Sequence, residues 1–308
     1  MLTKYRGELY LIAGFSTFAF NGVIVTLALD HISVFRLAQM RACGAFLFLL
    51  LLIAIKNRSS LAITRREVPV LALYGIVGFA AVQLGYLLGI ERNLPLSLVL
   101  ILEYTAPIWI VLWVRFVRKK SVPSTMWLAI FLSLAGLILV AKVWEGFAFD
   151  LIGLFGAIGS AFALAVYFLI GESMDSKRPT DVLTVWGLGF ASLVWIVALP
   201  VWKFPFGIFT EQINLQGRFS DYNLPGAVLI AWIIVMGTVV PYLFILGGLR
   251  LMSASRASVT GMLEPVLAGV FAWIWLSQSW SAIQLLGGFI VLVGIYIADR
   301  TKSSVIAR

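Results

Sequence analysis

Glu103 and Glu264 stand inside long apolar runs, ILEYTAPIWIVLW and GMLEPVLAGVFAWIWL. With spans drawn at 94–117 and 252–276, Glu103 lies roughly 12 Å from one end of its helix, and Glu264 roughly ten residues from the end of its own. Both are then near the middle of an apolar layer about 30 Å thick, where an ionisable side chain costs several kcal/mol unless it faces a cavity or a partner. Two carboxylates lining one cavity could hold the ammonium of a cationic or zwitterionic ligand, or could instead carry a coupling proton. The alternative is architectural. Either Glu could cap a neighbouring helix, and Glu264, directly before Pro265, could satisfy backbone groups that the proline frees.

Arg41, also within a span, is a candidate partner for a ligand carboxylate or for Glu103, against a reading in which it snorkels to the nearer surface. Asn21, Gln83, Tyr86, Tyr104, Tyr167 and Tyr242 stand at candidate cavity positions. Their aromatic rings could surround an ammonium by cation–π attraction, worth about 2 kcal/mol when desolvated; singly, each ring is as well explained by packing. Pro107 and Pro265 each remove a mid-helix backbone donor, so a kink is expected at both. With one histidine, His31, and one cysteine, Cys43, metal sites built on several His or Cys and His-centred catalytic groups lack their materials. No cofactor or metal is implied, and no enzyme is expected.

These residues must be positioned by membrane helices. The 308 residues are 61% hydrophobic and 12% charged, with mean hydropathy +1.02, whereas soluble domains average about 45–50% apolar and roughly 25% charged. The class is all-α integral membrane. A net charge of +9 would point to nucleic acid in a soluble chain; here the basic residues punctuate apolar spans, so no nucleic-acid partner is expected and the lipid bilayer is the surrounding one. Ten spans are placed near 9–29, 33–55, 68–89, 94–117, 125–142, 151–171, 181–202, 225–247, 252–276 and 281–299. The first lacks a small-residue cleavage pattern and reads as a retained helix. The polar stretch 203–224 reads as an ordinary loop. Placing both termini in the cytoplasm leaves only Arg36, Arg92, Lys142, Lys203 and Arg218 outside and Arg41 within a span, with the other 17 of the 23 Lys and Arg inside, as the positive-inside rule favours.

The segment Gly247–Leu276 has a distorted copy 158 residues upstream, Gly89–Arg118. Arg250 falls on Arg92, Ser255 on Ser97, Pro265 on Pro107 and Gly294 on Gly136 without a gap. A weaker similarity sets Gly7 opposite Gly153 and Asn21 opposite Tyr167. Residues 1–146 and 147–308 are thus read as two five-helix repeats. Five is odd, so the repeats are inverted relative to each other, an architecture of secondary transporters with the ligand site near the midplane.

The stretch ASRASVTGMLEPVLAGVFAWIWL (254–276) and the upstream IERNLPLSLVLILEYTAP (90–107) resemble the EamA family of the drug/metabolite transporter superfamily, the latter most similar to its threonine/homoserine exporter-like branch. The resemblance spans essentially the whole chain. It departs at Arg118-Lys119-Lys120 and Ser277-Gln278, where the family often closes the fourth and ninth helices with Gly-Glu. A common Trp of the first helix is also absent, with Phe18 and Phe20 nearby. What the resemblance implies is a multi-pass protein of the cytoplasmic membrane, monomeric or homodimeric. Such a protein exports or exchanges small metabolites, often amino acids, by alternating access driven by a gradient, with proton coupling one option. Exchange of choline-like or drug cations, and a non-transporting structural or partner-binding role, are the competing expectations.

Overall fold

A computed structural model describes residues 5–92, 94, 96–142, 150–174 and 178–301. Lys4, Lys177, Lys302 and Arg308 of the charge argument, and the 146/147 division, lie outside the described residues. Among the described residues, ten helices are long and apolar enough to cross a membrane: α1 Arg6–Leu29, α2 Val34–Asn57, α3 Val68–Glu91, α4 Leu98–Val117, α5 Ser124–Ala141, α6 Leu151–Ser173, α7 Thr180–Ala198, α8 Gly226–Leu249, α9 Ala254–Leu276 and α10 Ala282–Arg300. Each coincides with an expected span. The seventh stops four residues before its expected end because Pro200 turns the chain into a 3-10 segment, Val201–Lys203, proline being unable to continue the helix. Several starts carry side-chain caps that satisfy otherwise unpaired amides: Asp150 Oδ1 accepts from Gly153 N at 2.7 Å, and Ser281 forms a capping box with Gln284.

The main packing partners of every helix in the first five belong to the last five. α1 packs on α8 and α9, α2 on α7, α3 on α6 and α7, α4 on α6, and α5 on α10. Exchanging each helix n with n+5 maps this pattern onto itself, with α2 against α8 completing the pair for α3 against α7. Single contacts repeat as well: a Cβ at Gly7 would meet Met252, and one at Gly153 would meet Leu94, the residue 158 positions before it. Small residues allow these close approaches. On α5 and α10, a Cβ at Gly136 would lie 2.6 Å from the Gly287 carbonyl oxygen, and one at Gly287 would lie 2.6 Å from that of Gly136. Gly136→Val should therefore part the two helices at a destabilisation of about 1–3 kcal/mol, seen as a lower melting temperature of the purified protein in detergent. Gly159, also a small residue of α6, faces open space, and Gly159→Ala serves as the control without effect.

The stretch after α7 is more than an ordinary loop. β1 Gln212–Asn214 pairs antiparallel with β2 Asn223–Pro225, and Ile208, Ile213 and Leu215 bury against α1 and α8. Trp275 Nε1 donates to Leu215 O at 2.8 Å, fixing this cap to the end of α9. His31 does not stand free in its turn: its Nδ1 is 2.7 Å from Glu211 Oε2 of the cap.

Candidate functional site

Among the described residues four helices are irregular, mostly at matched places; a π segment at Trp113–Val117 of α4 has no counterpart in α9. α3 is π-helical over Tyr74–Ala81 and α8 over Val235–Val239. α4 is interrupted at Tyr104-Thr105, between Leu96–Glu103 and Ala106–Leu112, and α9 at Met262, between Ala254–Gly261 and Leu263–Leu276. The second π segment and both interruptions fall 158 residues apart from their counterparts. Pro107 and Pro265 each stand in the first turn of the second helical segment, where a missing N–H costs nothing.

These interruptions place the two carboxylates. Glu103 is the last residue of its half-helix; Glu264 is in the first turn of the other, where the helix dipole favours negative charge. Across the break, Tyr104 of α4 donates its hydroxyl to Glu264 Oε2 at 2.8 Å. Glu103 and Glu264 lie within electrostatic range of each other, and Tyr86 of α3 is within range of both and of Arg41. Ser160 of α6 stands beside Glu103 without a well-formed hydrogen bond. Glu264 is thus engaged by a donor, while Glu103 is half-buried with none committed to it. Tyr104→Phe should cost about 1–3 kcal/mol of stability by leaving a carboxylate oxygen unpaired. Tyr86→Phe, at a hydroxyl with no described hydrogen bond, should melt like the parent; thermal denaturation of both variants checks this.

Arg41 does not snorkel. Its Nε donates to Thr238 Oγ1 at 3.2 Å and its Nη2 to Gly237 O at 3.2 Å, both in the π segment of α8. A π turn displaces carbonyls from the regular ladder, and the guanidinium takes up one of them. No described ion pair involves Arg41, yet it is within electrostatic range of Glu264 and Tyr242. Asn21 of α1, 3% exposed, abuts the same residue: a Cβ at Gly237 would fall 1.9 Å from Asn21 Oδ1. Tyr167, its counterpart in the weaker repeat similarity, abuts Gly78 in the π segment of α3.

The aromatic candidates divide. Tyr242 packs on Phe79 at 4.3 Å and Phe18 at 5.1 Å, and Tyr167 stacks on Tyr74 at 5.2 Å. Tyr167 is buried among rings, so it lines the layer beneath rather than a cage wall; Tyr86 and Tyr104 stand with the carboxylates. Gln83 lies beside Tyr242. Among the described residues eight buried side-chain atoms have no protein hydrogen-bond partner, and five belong to this region: Asn21 Oδ1, Gln83 Oε1, Ser160 Oγ, and the hydroxyls of Tyr74 and Tyr167. Each such group costs about 1–3 kcal/mol unless something polar meets it. The expected residues thus form two neighbouring groups, Glu103, Glu264, Tyr86, Tyr104 and Arg41 linked electrostatically, and Tyr167, Tyr242, Gln83 and Asn21 around the π segments. Sequence reasoning missed Gly237, Thr238, Ser160 and Phe79. Only the glycine carries a visible signal, and it is one of 27. Among the described residues no group of three or more His, Cys, Asp or Glu could hold a metal.

The helix ends bearing Tyr5 and Thr301 are tied by ion pairs. Arg256 of α9 pairs with Glu8 of α1, at 2.9 Å, and with Asp299 of α10; Arg118 after α4 pairs with Glu172 of α6. Glu172 also accepts from Ala254 N at the start of α9. Before α3, Arg178 binds Glu67 at 2.7 Å, and Arg178 together with Thr64 holds the Glu67 carboxyl down at about 2. That pair contributes stability at every pH above the ordinary carboxylate range and loses it only as pH falls towards 2.

Ten apolar spans around a buried polar cluster at four irregular helices define a multi-pass membrane transporter. The chain belongs to the EamA-like transporter family, whose sequence profile matches residues 5–142 and again 151–298. It is 25% identical over 269 residues to an uncharacterized transporter, YdfC, of Bacillus subtilis, covering 86% of this chain and 80% of that one. It is 22% identical over 309 residues to the pseudopaline exporter CntI of Pseudomonas aeruginosa, covering 98% of each. A solved crystal structure shares the fold, with a TM-score of 0.75 at 14% identity over 95% of this chain and 96% of that one.

Proposed function

We propose that the chain is a secondary-active exporter of small zwitterionic metabolites, amino acids foremost, in the cytoplasmic membrane. The observation that carries this reading is that Glu103, Glu264 and Arg41 all lie within electrostatic range of Tyr86. A site with carboxylates on one side and a guanidinium on the other complements an ammonium and a carboxylate on one small molecule. Glu103, with no donor committed to it, takes the ammonium or a coupling proton; Glu264, held by Tyr104, shapes the site; Arg41 takes the carboxylate. Tyr86, Tyr104 and Tyr242 supply ring faces, and Asn21 and Gln83 supply polar atoms.

The matched irregularities support two five-helix repeats, residues 1–146 and 147–308, of inverted orientation with both termini cytoplasmic. Alternating access then rocks one repeat against the other around the site. The similarity of Ile90–Pro107 to the threonine/homoserine exporter-like branch favours amino acids, and a relative named as an exporter favours the outward direction. Two carboxylates against one guanidinium give a second reading, exchange of cations. Counterflow in proteoliposomes at two pH values, screening unlabelled amino acids and quaternary ammonium compounds, separates them. Gradient-dependent flux of amino acids supports the first reading, flux of cations alone the second, and flux of neither rejects both.

A further inference from the structure

Away from the polar cluster, α2 and α7 part to leave a crevice of about 230 Å³. Phe46 and Trp186 form its walls and Cys43 its floor, with Leu193 and Ile196 at the outer rim, 58% and 43% exposed. Gly189 keeps it open, since a Cβ there would approach Phe46 Cε2 to 2.9 Å. Nothing polar is offered to an occupant: Ser192 commits its hydroxyl to Leu188 O at 2.7 Å. The volume is too small for a helix, which is about 10–12 Å across. Trp186 to Ile196 spans ten residues, roughly 15 Å of α7, so the space is long, narrow, apolar and open to the surrounding layer.

Above the crevice the surface changes sign. Arg36 lies two turns from Cys43 on the same face of α2, about 10 Å nearer the helix start. Its Nη1 donates to Gln39 Oε1 at 2.8 Å and to Pro200 O at 2.9 Å, which binds it to the end of α7. Its Nε and Nη2 make no described hydrogen bond. Lys203 follows three residues after Pro200 and is exposed. Neither cation has a carboxylate partner among the described residues, because Asp30 and Glu211 at this end meet Gln216 and His31 instead. Trp202, 81% exposed, sits between them, a residue type that favours the membrane–water boundary.

We propose that this crevice binds one acyl chain of an anionic phospholipid whose phosphate is held by Arg36 and Lys203. Arg36 and the crevice floor at Cys43 are about 10 Å apart along one face of α2, so a headgroup at the arginine leaves its acyl chain facing the slot. Native mass spectrometry of the full chain in detergent, with equimolar phosphatidylglycerol and phosphatidylcholine, tests it. The wild type should retain phosphatidylglycerol preferentially, by roughly fivefold for each basic residue. Lys203→Gln, a change at an exposed position, should reduce the preference, and Arg36→Gln with Lys203→Gln should remove it. Ile196→Trp, which fills the mouth of the crevice from a half-exposed position, should lower retention of both lipids. Equal retention of the two lipids by the wild type, a preference that survives the double substitution, or retention indifferent to Ile196→Trp would each overturn the proposal.

Discussion

On the proposed reading, Glu103→Gln should abolish counterflow of a zwitterionic substrate while leaving the protein folded and monodisperse. Losing one partner of a desolvated, charge-paired ligand contact costs about 2–5 kcal/mol, so the expected fall is on the order of 100-fold or more. Folding survives because no described donor is committed to Glu103. Glu264→Gln is the informative comparison, since Glu264 is bound by Tyr104 at 2.8 Å. It should lower melting temperature more than Glu103→Gln and impair transport less. If Glu103→Gln blocks cations and spares neutral zwitterions, the cation-exchange reading gains; full transport by the variant would remove Glu103 from the site.

Gly237→Ala is the second large effect. The new Cβ would fall 1.9 Å from Asn21 Oδ1 and 2.2 Å from its Cγ, a clash that only displacement of a buried side chain or of the π segment relieves. Because Gly237 O also anchors Arg41 at 3.2 Å, the guanidinium moves with it. Overpacking costs about 1–3 kcal/mol, and on the proposed reading, in which Arg41 takes the ligand carboxylate, displacing it should also lower transport. The diagnostic is a double-mutant cycle. Asn21→Ala removes the clashing atoms, so Asn21→Ala with Gly237→Ala should melt higher than Gly237→Ala alone, a coupling visible only between residues in contact. Additive melting shifts would show that the two do not share the strain.

The spans were legible because periodicity is not needed to find a helix in an apolar layer: length and the spacing of charges suffice. The depth of Glu103, Glu264 and Arg41 was legible for the same reason. What faces them was not. The interruption at Tyr104-Thr105 is announced by Pro107, and the π segments at Tyr74–Ala81 and Val235–Val239 contain no proline but hold Gly75, Gly78 and Gly237. Pro241, four residues after Gly237, has no amide to offer the Gly237 carbonyl; that Arg41 is the group which takes it up depends on contacts between helices that a linear reading does not hold. The pairing of Asn21 with Tyr167 looked too weak to use, yet the two press against the π segments of opposite halves. The stretch 203–224 looked like plain loop because its strands are only three residues each, too short for an alternating pattern to register.

The depth of Glu103 also has an electrical consequence. A charge crossing the whole membrane gains about 2.3 kcal/mol per 100 mV. A cation, or a proton, that enters from the Leu96 end and reaches a carboxylate about a third of the way along its helix crosses about a third of that field. Its occupancy therefore changes by about 0.8 kcal/mol, or roughly fourfold, per 100 mV. The membrane potential is then an input to this site in its own right, separate from any concentration gradient. Counterflow measured under potassium–valinomycin clamps should show a voltage-dependent half-saturation for the wild type.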